Sequence, residues 1–353
     1  MFLPIWLDLG MLITLALALF IATTQPKISE TNILFTAFIA IFAIFQFGFA
    51  PATEFVGSDR PNYAYMFSHA DEMYNWGFKD AGFTYYLKLC DILTGSATGG
   101  FFISAIIYVL AYVYFYSKSF NKYVLYVLLL SFLSLGFTNH YYNVLRAGLS
   151  ISFVLIAISK DQKKSITIIF SLLALSFHIS SLLMIVGYIV TKYIRNTKLL
   201  YSLWIVMLSA LLAGFFDSFQ QYLELFSNVE DDRLEVYLSG NDYGYKVGLR
   251  LDFIAYSLFP ILIGAYYIYK CKYKDLYYTH IYNLYILTNA CWLIFSKMHH
   301  NDRMAYLSWC LIPFILLYPI FNSTNNTIKH KKVCLCFLTL IIVGVNFYLK
   351  YFR

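Results

Sequence analysis

The sequence predicts an all-α polytopic membrane protein with about 12 transmembrane helices, in a range of roughly 10 to 13. Three observations predict it. Of 353 residues, 60% are hydrophobic and 13% are charged, about half the roughly 25% charged share of a soluble domain. Mean hydropathy is +0.63. The apolar residues gather into separate runs of near-bilayer length, with basic residues clustered between them, as the positive-inside rule expects.

The runs follow in order. The first covers 2–22; it has no basic start and more spans follow it, so it is read as a span and not as a cleaved signal. The second covers 33–50. A long amphipathic stretch, 51–99, is rich in Tyr, Asp and Gly and is read as an outer loop. Further runs lie at 100–116, 123–138 and 144–159. The segment 165–193 is long for one span and has basic residues at both ends (Lys163 and Lys164 before, Lys192, Arg195 and Lys198 after). Two cytoplasmic ends call for a hairpin, so two short helices are expected to meet in a break near His178. The remaining runs lie at 199–216, 251–269, 276–296, 304–321 and 333–350. The whole of 1–353 is taken as a single transmembrane domain.

Charge sets the orientation. The clusters around Lys118/Lys122, Lys160–Lys164, Lys192–Lys198, Lys270–Lys274 and Lys329–Lys332 mark cytoplasmic loops. The segments 51–99, 138–143, 217–250 and 297–303 then face outward, as do both termini. Loop 217–250 holds seven acidic residues against Arg233, Lys246 and Arg250, a net −4 in a chain that is +7 overall. The positive balance reflects loop placement, so no nucleic-acid partner is expected. Six cysteines offer no framework, and the histidines lack metal-ligand spacing, so neither a disulfide nor a metal site is expected.

Polar chemistry is confined to four outward segments. They contain Gly57-Ser-Asp59-Arg60-Pro-Asn62-Tyr63, Asn139-His140-Tyr-Tyr142-Asn143-Val-Leu-Arg146, Phe177-His178-Ile-Ser180-Ser181 and His299-His300-Asn301-Asp302-Arg303-Met-Ala-Tyr306. Arg146 sits about one turn inside an apolar helix, where a charge costs roughly 2.5–3.5 kcal/mol. Such a residue faces a bundle interior and has a partner, or else snorkels to the interface. Arg303 repeats the theme at the start of another helix. Two guanidiniums in a low-dielectric cavity suit a diphosphate, which they bind bidentately while staying charged. Arg250 is either a third contact or an interfacial anchor. His178, Asp59 and Glu72 are candidate bases for a sugar hydroxyl, against the plainer readings of a hydrogen-bonded core histidine and solvated carboxylates. No phosphate loop, dinucleotide fingerprint, nucleophile elbow or zinc helix is present.

These motifs, in this order, resemble the EpsG/Wzy-type family of exopolysaccharide and O-antigen polymerases. The likeness rests on Asp59 and Tyr63, on Asp80-Ala-Gly82-Phe83, on Asn143 and Arg146 followed by the small residues Ala147 to Ser150, on Phe177-His178-x-Ser180, and on Arg303 with Tyr306. It spans roughly 55–310. The family tends to have Gln after the arginine and Ala at the fourth position beyond it, where this chain has Ala147 and Ser150. A Glu is also usual one position nearer Gly82 than Asp80. The resemblance implies a GT-C-like, metal-independent glycosyltransferase without a cofactor. Its donor and acceptor would be glycans linked to polyprenyl diphosphate, joined at the outer face of a bacterial cytoplasmic membrane, with membrane lipid and other polysaccharide-assembly proteins as neighbours. Arg146 and Arg303 would stabilise the leaving diphosphate, and His178 or Asp59 would take the proton. Asn143, Arg250, Tyr63, Tyr142, Tyr306 and Ser180 would contact substrate.

The alternatives are a flippase of lipid-linked oligosaccharide, an O-antigen-type ligase and a membrane O-acyltransferase. Charges cluster outward and no second-half counterpart of the His178 break is evident, which disfavours alternating access. The acidic 217–250 loop disfavours a ligase. An acyltransferase calls for a prominent early histidine, and the first one here is His69.

Overall fold

The structure is a computed structural model that describes residues 14–17, 31–53, 59–75, 80–216, 248–297, 302–322 and 331–351. Most of run 2–22, residues 217–247 of the acidic loop, and His299 and His300 lie outside the described residues. Among the described residues every regular element is helical.

Helix α1 covers Thr31–Gly48. The stretch read as an outer loop contains three helices: α2 (Arg60–Ser68), α3 (Ala70–Asn75) and α4 (Ala81–Thr94). In α4, Phe83, Tyr86, Leu87 and Cys90 are buried, the helical i, i+3, i+4, i+7 spacing of one apolar face. The helix ends at Gly95, whose φ of +59° is left-handed backbone that glycine adopts without a Cβ penalty. Lys88 and Asp91 interrupt its apolar residues, so no span-length run forms and the sequence reads as a loop.

Helix α5 (Ala97–Phe120) begins at Ser96, whose side chain accepts the Gly99 N–H at 3.1 Å. Run 123–138 divides into α6 (Val124–Phe132) and α7 (Leu135–Tyr142), bent by 65°. Helix α8 covers Leu145–Ala157. Helices α9 (Lys164–Phe177) and α10 (Ser181–Tyr193) are separated at 178–180, where the break is expected. Then come α11 (Thr197–Leu212), α12 (Leu251–Ala265, continued by a π turn at Tyr266–Lys270) and α13 (Leu276–Phe295). Run 304–321 becomes α14 (Asp302–Trp309) and α15 (Ile312–Asn322), and α16 covers Lys331–Tyr351.

Among the described residues, three helices are long and apolar enough to cross a bilayer: Ala97–Phe120, Leu251–Lys270 and Asp302–Asn322. The bent α6–α7 pair makes a fourth if it is one span, and five shorter apolar helices accompany them. The surface has the character of a lipid-facing one. Ile33, Leu34, Phe35 and Phe38 project from α1, Ile168 and Leu172 from α9, and Ile205 and Val206 from α11, all exposed. Soluble proteins rarely leave contiguous apolar faces of this kind uncovered.

The chain forms two compact units, 1–185 with 312–353, and 186–311. In the first, α5 is the central helix, packed against α1, α2, α4, α6, α8 and α15. Its buried tyrosines lie one turn apart and hand their hydroxyls to neighbours: Tyr108 donates to the Phe137 carbonyl at 2.7 Å, and Tyr116 meets Ser131 Oγ at 2.6 Å. Tyrosine is useful here because its ring fills the core while the hydroxyl still finds a partner. In the second unit, buried α13 is tied to α11 and α14 by side chains. Trp204 Nε1 donates to Asn289 Oδ1 at 2.8 Å, and Asn289 Nδ2 donates to Ser308 Oγ at 3.0 Å. Hydroxyls of Tyr285 and Tyr282 donate to the carbonyls of Ser257 and Ile261, on either side of Pro260 within α12. These bonds add side-chain links between α13 and the stretch of α12 that the proline interrupts.

One contact sets the direction of α8. A Cβ built on Gly148 lies 2.7 Å from the His140 carbonyl oxygen, so α7 and α8 touch backbone to backbone. Gly148→Ala is therefore expected to lower stability by about 1–3 kcal/mol through overpacking. Gly344→Ala, whose Cβ meets nothing within 4 Å, should leave the melting temperature of the detergent-purified protein unchanged. Equal melting of the two variants would exclude this close approach.

Candidate functional site

The turn between α7 and α8 delivers Arg146 to the second position of α8. There its Nη1 lies 2.8 Å from Asp80 Oδ2, with the side chains 17% and 12% exposed. An arginine at this depth needs a counter-charge, and the Asp80 carboxylate supplies it. Asp80 immediately precedes α4. The position of α4 depends on Gly82, because a Cβ there falls 2.2 Å from Ser176 Oγ of α9. The next residue, Phe83, is fully buried; its ring centroid is 6.3 Å from that of Tyr63 and 6.1 Å from that of Phe177. The Tyr63 hydroxyl accepts the Arg146 backbone N–H at 3.5 Å. That N–H belongs to the first turn of α8, where the helix itself offers no acceptor.

Below this pair lies the break after Phe177. The Ser180 backbone N–H donates to His178 Nδ1 at 3.1 Å, and Ser180 Oγ meets the same nitrogen at 2.7 Å. A backbone N–H only donates, so Nδ1 carries the lone pair and the neutral ring holds its proton on Nε2. The imidazole thus offers a donor and not an acceptor at its other nitrogen. Ser150, one turn after Arg146, donates to the Ala174 carbonyl at 2.7 Å and approaches the His178 carbonyl at 3.4 Å. Ser181 Oγ donates to the same His178 carbonyl at 2.8 Å. The end of α9 is therefore fastened to α8 by the serine that stands where an alanine is usual. His140, fully buried beside Gly148, lies within electrostatic reach of His178.

The other expected residues of this unit take varied places. Asp59 immediately precedes α2, and its carboxylate does not cap that helix. Asn143 ends α7, in the turn before α8, where its N–H donates to the Asn139 carbonyl at 2.9 Å. Tyr142 is buried edge-on to Phe47, ring centroids 5.2 Å apart, with Arg60 Cζ 5.6 Å from its ring; its hydroxyl finds no hydrogen-bond partner among the described residues. Tyr142 thus packs into the core. Arg60, which the sequence reading passes over, is fully buried: it donates to the carbonyls of Phe47 and Ala50 and lies 3.8 Å over the Phe101 ring. A cation at the start of a helix opposes the helix dipole, and its sequence position beside Pro61 was the available signal. Arg60 acts instead at the far end of α1, where a cation is favoured.

In the second unit, Arg250 precedes α12 and is largely buried. Its Nε donates to Asp252 Oδ1 at 2.9 Å, Nη2 bonds the other carboxylate oxygen, and the guanidinium lies 4.1 Å over Phe253. Arg303 opens α14 half-buried, and Tyr306 donates to Asp302 Oδ2 at 2.9 Å. Among the described residues no group of three His, Cys, Asp or Glu side chains is placed to hold a metal ion.

Four separate sequence motifs, at Asp59/Tyr63, Asp80–Phe83, Asn143–Ser150 and Phe177–Ser180, thus pack together in the first unit. The sequence model of the EpsG family matches residues 13–352. The chain belongs to the EpsG family. No curated protein and no solved structure matches it. The EpsG match extends beyond the 55–310 stretch that carries the motif likeness and takes in both compact units.

Within this EpsG chain Asp80 is the site residue that motif reading undervalued. Arg146 signalled that it needed a partner, but Asp80 lies in the stretch 51–99 that reads as an outer loop, so the sequence does not single it out. Removing one partner of a fully buried ion pair costs roughly 3–5 kcal/mol; for this partly exposed pair Asp80→Asn is expected to cost about 1–3 kcal/mol. Arg146→Gln in the same background should cost little more, giving a coupling of about 1–2 kcal/mol in a double-mutant cycle. Thermal unfolding in detergent reads it, and strictly additive effects would contradict the pairing.

Proposed function

We propose that this chain is a membrane-embedded polysaccharide polymerase. In this reading it joins polyprenyl-diphosphate-linked oligosaccharide units by glycosyl transfer at the outer face of a bacterial cytoplasmic membrane, on a GT-C-like fold of about 12 spans. Membership of the EpsG family points to a polymerase-type role in polysaccharide biosynthesis. The observation that carries the residue assignment is the Arg146–Asp80 pair, with Tyr63 and the His178 turn packed around it.

Transfer breaks the bond between the donor sugar and its diphosphate and forms a new bond to an acceptor hydroxyl. Negative charge grows on the leaving diphosphate, and a proton leaves the acceptor. Arg146 is assigned to the diphosphate, because a guanidinium matches phosphate oxygens bidentately and stays charged when desolvated. Donor binding then exchanges the Asp80 carboxylate for a phosphate oxygen on the same fork. The His178 tautomer supports a donor role, with Nε2–H directed to a diphosphate or sugar oxygen, which leaves Asp59 as the proposed base. Arg303 and Arg250 are assigned further phosphate contacts. Asn143, Tyr63, Tyr306 and Ser180 are assigned to substrate binding, and Tyr142, packed in the core, is withdrawn from that role.

Deleting the gene in its native host and complementing it with variants tests this. The null strain should make single repeat units, and wild type should restore the ladder of long glycans. Arg146→Ala and Arg303→Ala should lose the ladder at normal membrane levels, a fall in rate of about 100-fold or more for a removed charge-stabilising group. Arg146→Lys should recover only part, since a point charge replaces a fork. Long chains left unattached in the null strain identify a ligase, and repeat units held on the cytoplasmic leaflet identify a carrier.

A further inference from the structure

The segment between α1 and α5 carries a second concentration of polar and aromatic groups, on the side of α2–α4 away from the Arg146 site. The two helical faces are distinct. On α2, Tyr63 is buried toward Arg146 while Tyr65, two residues on, is exposed. On α4, Phe83 and Tyr86 are buried while Tyr85 is exposed. The exposed rings form two groups. Tyr65 stacks on His69 with centroids 4.0 Å apart, and its hydroxyl donates to Glu72 Oε2 at 3.3 Å. Tyr74 meets Tyr85 edge-on at 5.6 Å, while Lys88 Nζ lies 4.8 Å from the Tyr74 ring and 3.3 Å from Asp71 Oδ1.

This chemistry is not that of a lipid face. A carboxylate, an ammonium and an imidazole among the rings are costly in hydrocarbon, and the rings are held by hydrogen bonds and a cation. Nor is it a protein core, since all three tyrosines stay at least 41% exposed. Flat exposed rings flanked by hydrogen-bonding side chains match a pyranose. Its axial C–H groups pack on an aromatic face while its hydroxyls bond to carboxylates, amines and phenols. Further along α4 the exposed side chains change to Leu89, Ile92 and Leu93, so the aromatic group lies at the polar end of an otherwise apolar edge. A sugar carried on a membrane-anchored lipid emerges at such a boundary.

We infer that Tyr65, Tyr74 and Tyr85, with Glu72, Asp71 and Lys88, form a saccharide-binding platform that holds the glycan of a lipid-linked substrate on the face of α2–α4 opposite the one that meets Arg146. The inference rests on the polymerase reading for the identity of the glycan, and on the exposed ring geometry for the platform itself. A platform outside the reacting centre retains a long glycan between transfer steps, so its loss shortens products without stopping transfer.

The test uses the full chain in nanodiscs, with oligosaccharides released by mild acid from the native host's own surface polysaccharide as the probe. Tyrosine nitration is mapped by mass spectrometry. At about ten times Kd roughly a tenth of sites stay open, so nitration of Tyr65, Tyr74 and Tyr85 should fall roughly tenfold. The same protection is expected in Arg146→Ala. In cells, Tyr65→Ala and Tyr85→Ala should shorten the glycan ladder at normal membrane levels, whereas Arg146→Ala should leave single repeat units. Three results overturn the platform: no protection in a wild-type chain that polymerises, a full-length ladder from the double variant, or rings shielded by the nanodisc lipid alone, which makes them interfacial anchors. If Arg146→Ala polymerises normally while the tyrosines are protected, the assignment of the reacting centre falls and the platform stands.

Discussion

A polar group in a bilayer has no water to fall back on, and much of this structure follows from that constraint. Arg60 reaches the open carbonyls at the end of α1. The hydroxyls of Tyr108, Tyr116, Tyr282 and Tyr285 each find an oxygen on a neighbouring helix. The Arg146–Asp80 pair is the most demanding instance, because both groups are charged and both are mostly covered. Each such bond joins two helices at a defined register, so polar satisfaction also specifies how the apolar helices line up. Hydrophobic contact alone is a weak guide here, since lipid tails offer a helix nearly the same environment as another helix does.

What the sequence made legible was set by the length of its signals. Apolar runs of near-bilayer length, such as 100–116 in α5, were visible because a bilayer requires them. The break at His178 was visible because basic residues stand on both sides of 165–193. Helix α4 was not, because its buried stripe of Phe83, Tyr86, Leu87 and Cys90 is interleaved with Thr84, Tyr85 and Lys88. The bend between α6 and α7 was hidden for the opposite reason: 123–138 is mostly apolar and uncharged, and apolarity does not encode direction. At the site, residue types were legible and contacts were not. Arg146 announced that it needed a partner, but Asp80 lies 66 positions earlier in the chain.

The departures from the EpsG pattern become intelligible at the level of bonds. Ser150 replaces a small apolar residue yet adds a second hydrogen bond to the Ala174 carbonyl, which already accepts the His178 N–H at the end of α9. Asp80, shorter than the usual glutamate and one position earlier, still brings a carboxylate within 2.8 Å of Arg146. Moving an acid along the chain and changing its length compensate when the target is one point in space.

The elbow between α7 and α8 has a wider consequence. Because Gly148 lies directly against the His140 carbonyl, the joint is made of main chain and does not depend on which side chains surround it. Apolar side chains on the neighbouring helices can then vary while this backbone contact still directs the start of α8. Chains with few letters in common can then keep the same joint, provided a hydrogen atom occupies that one spot.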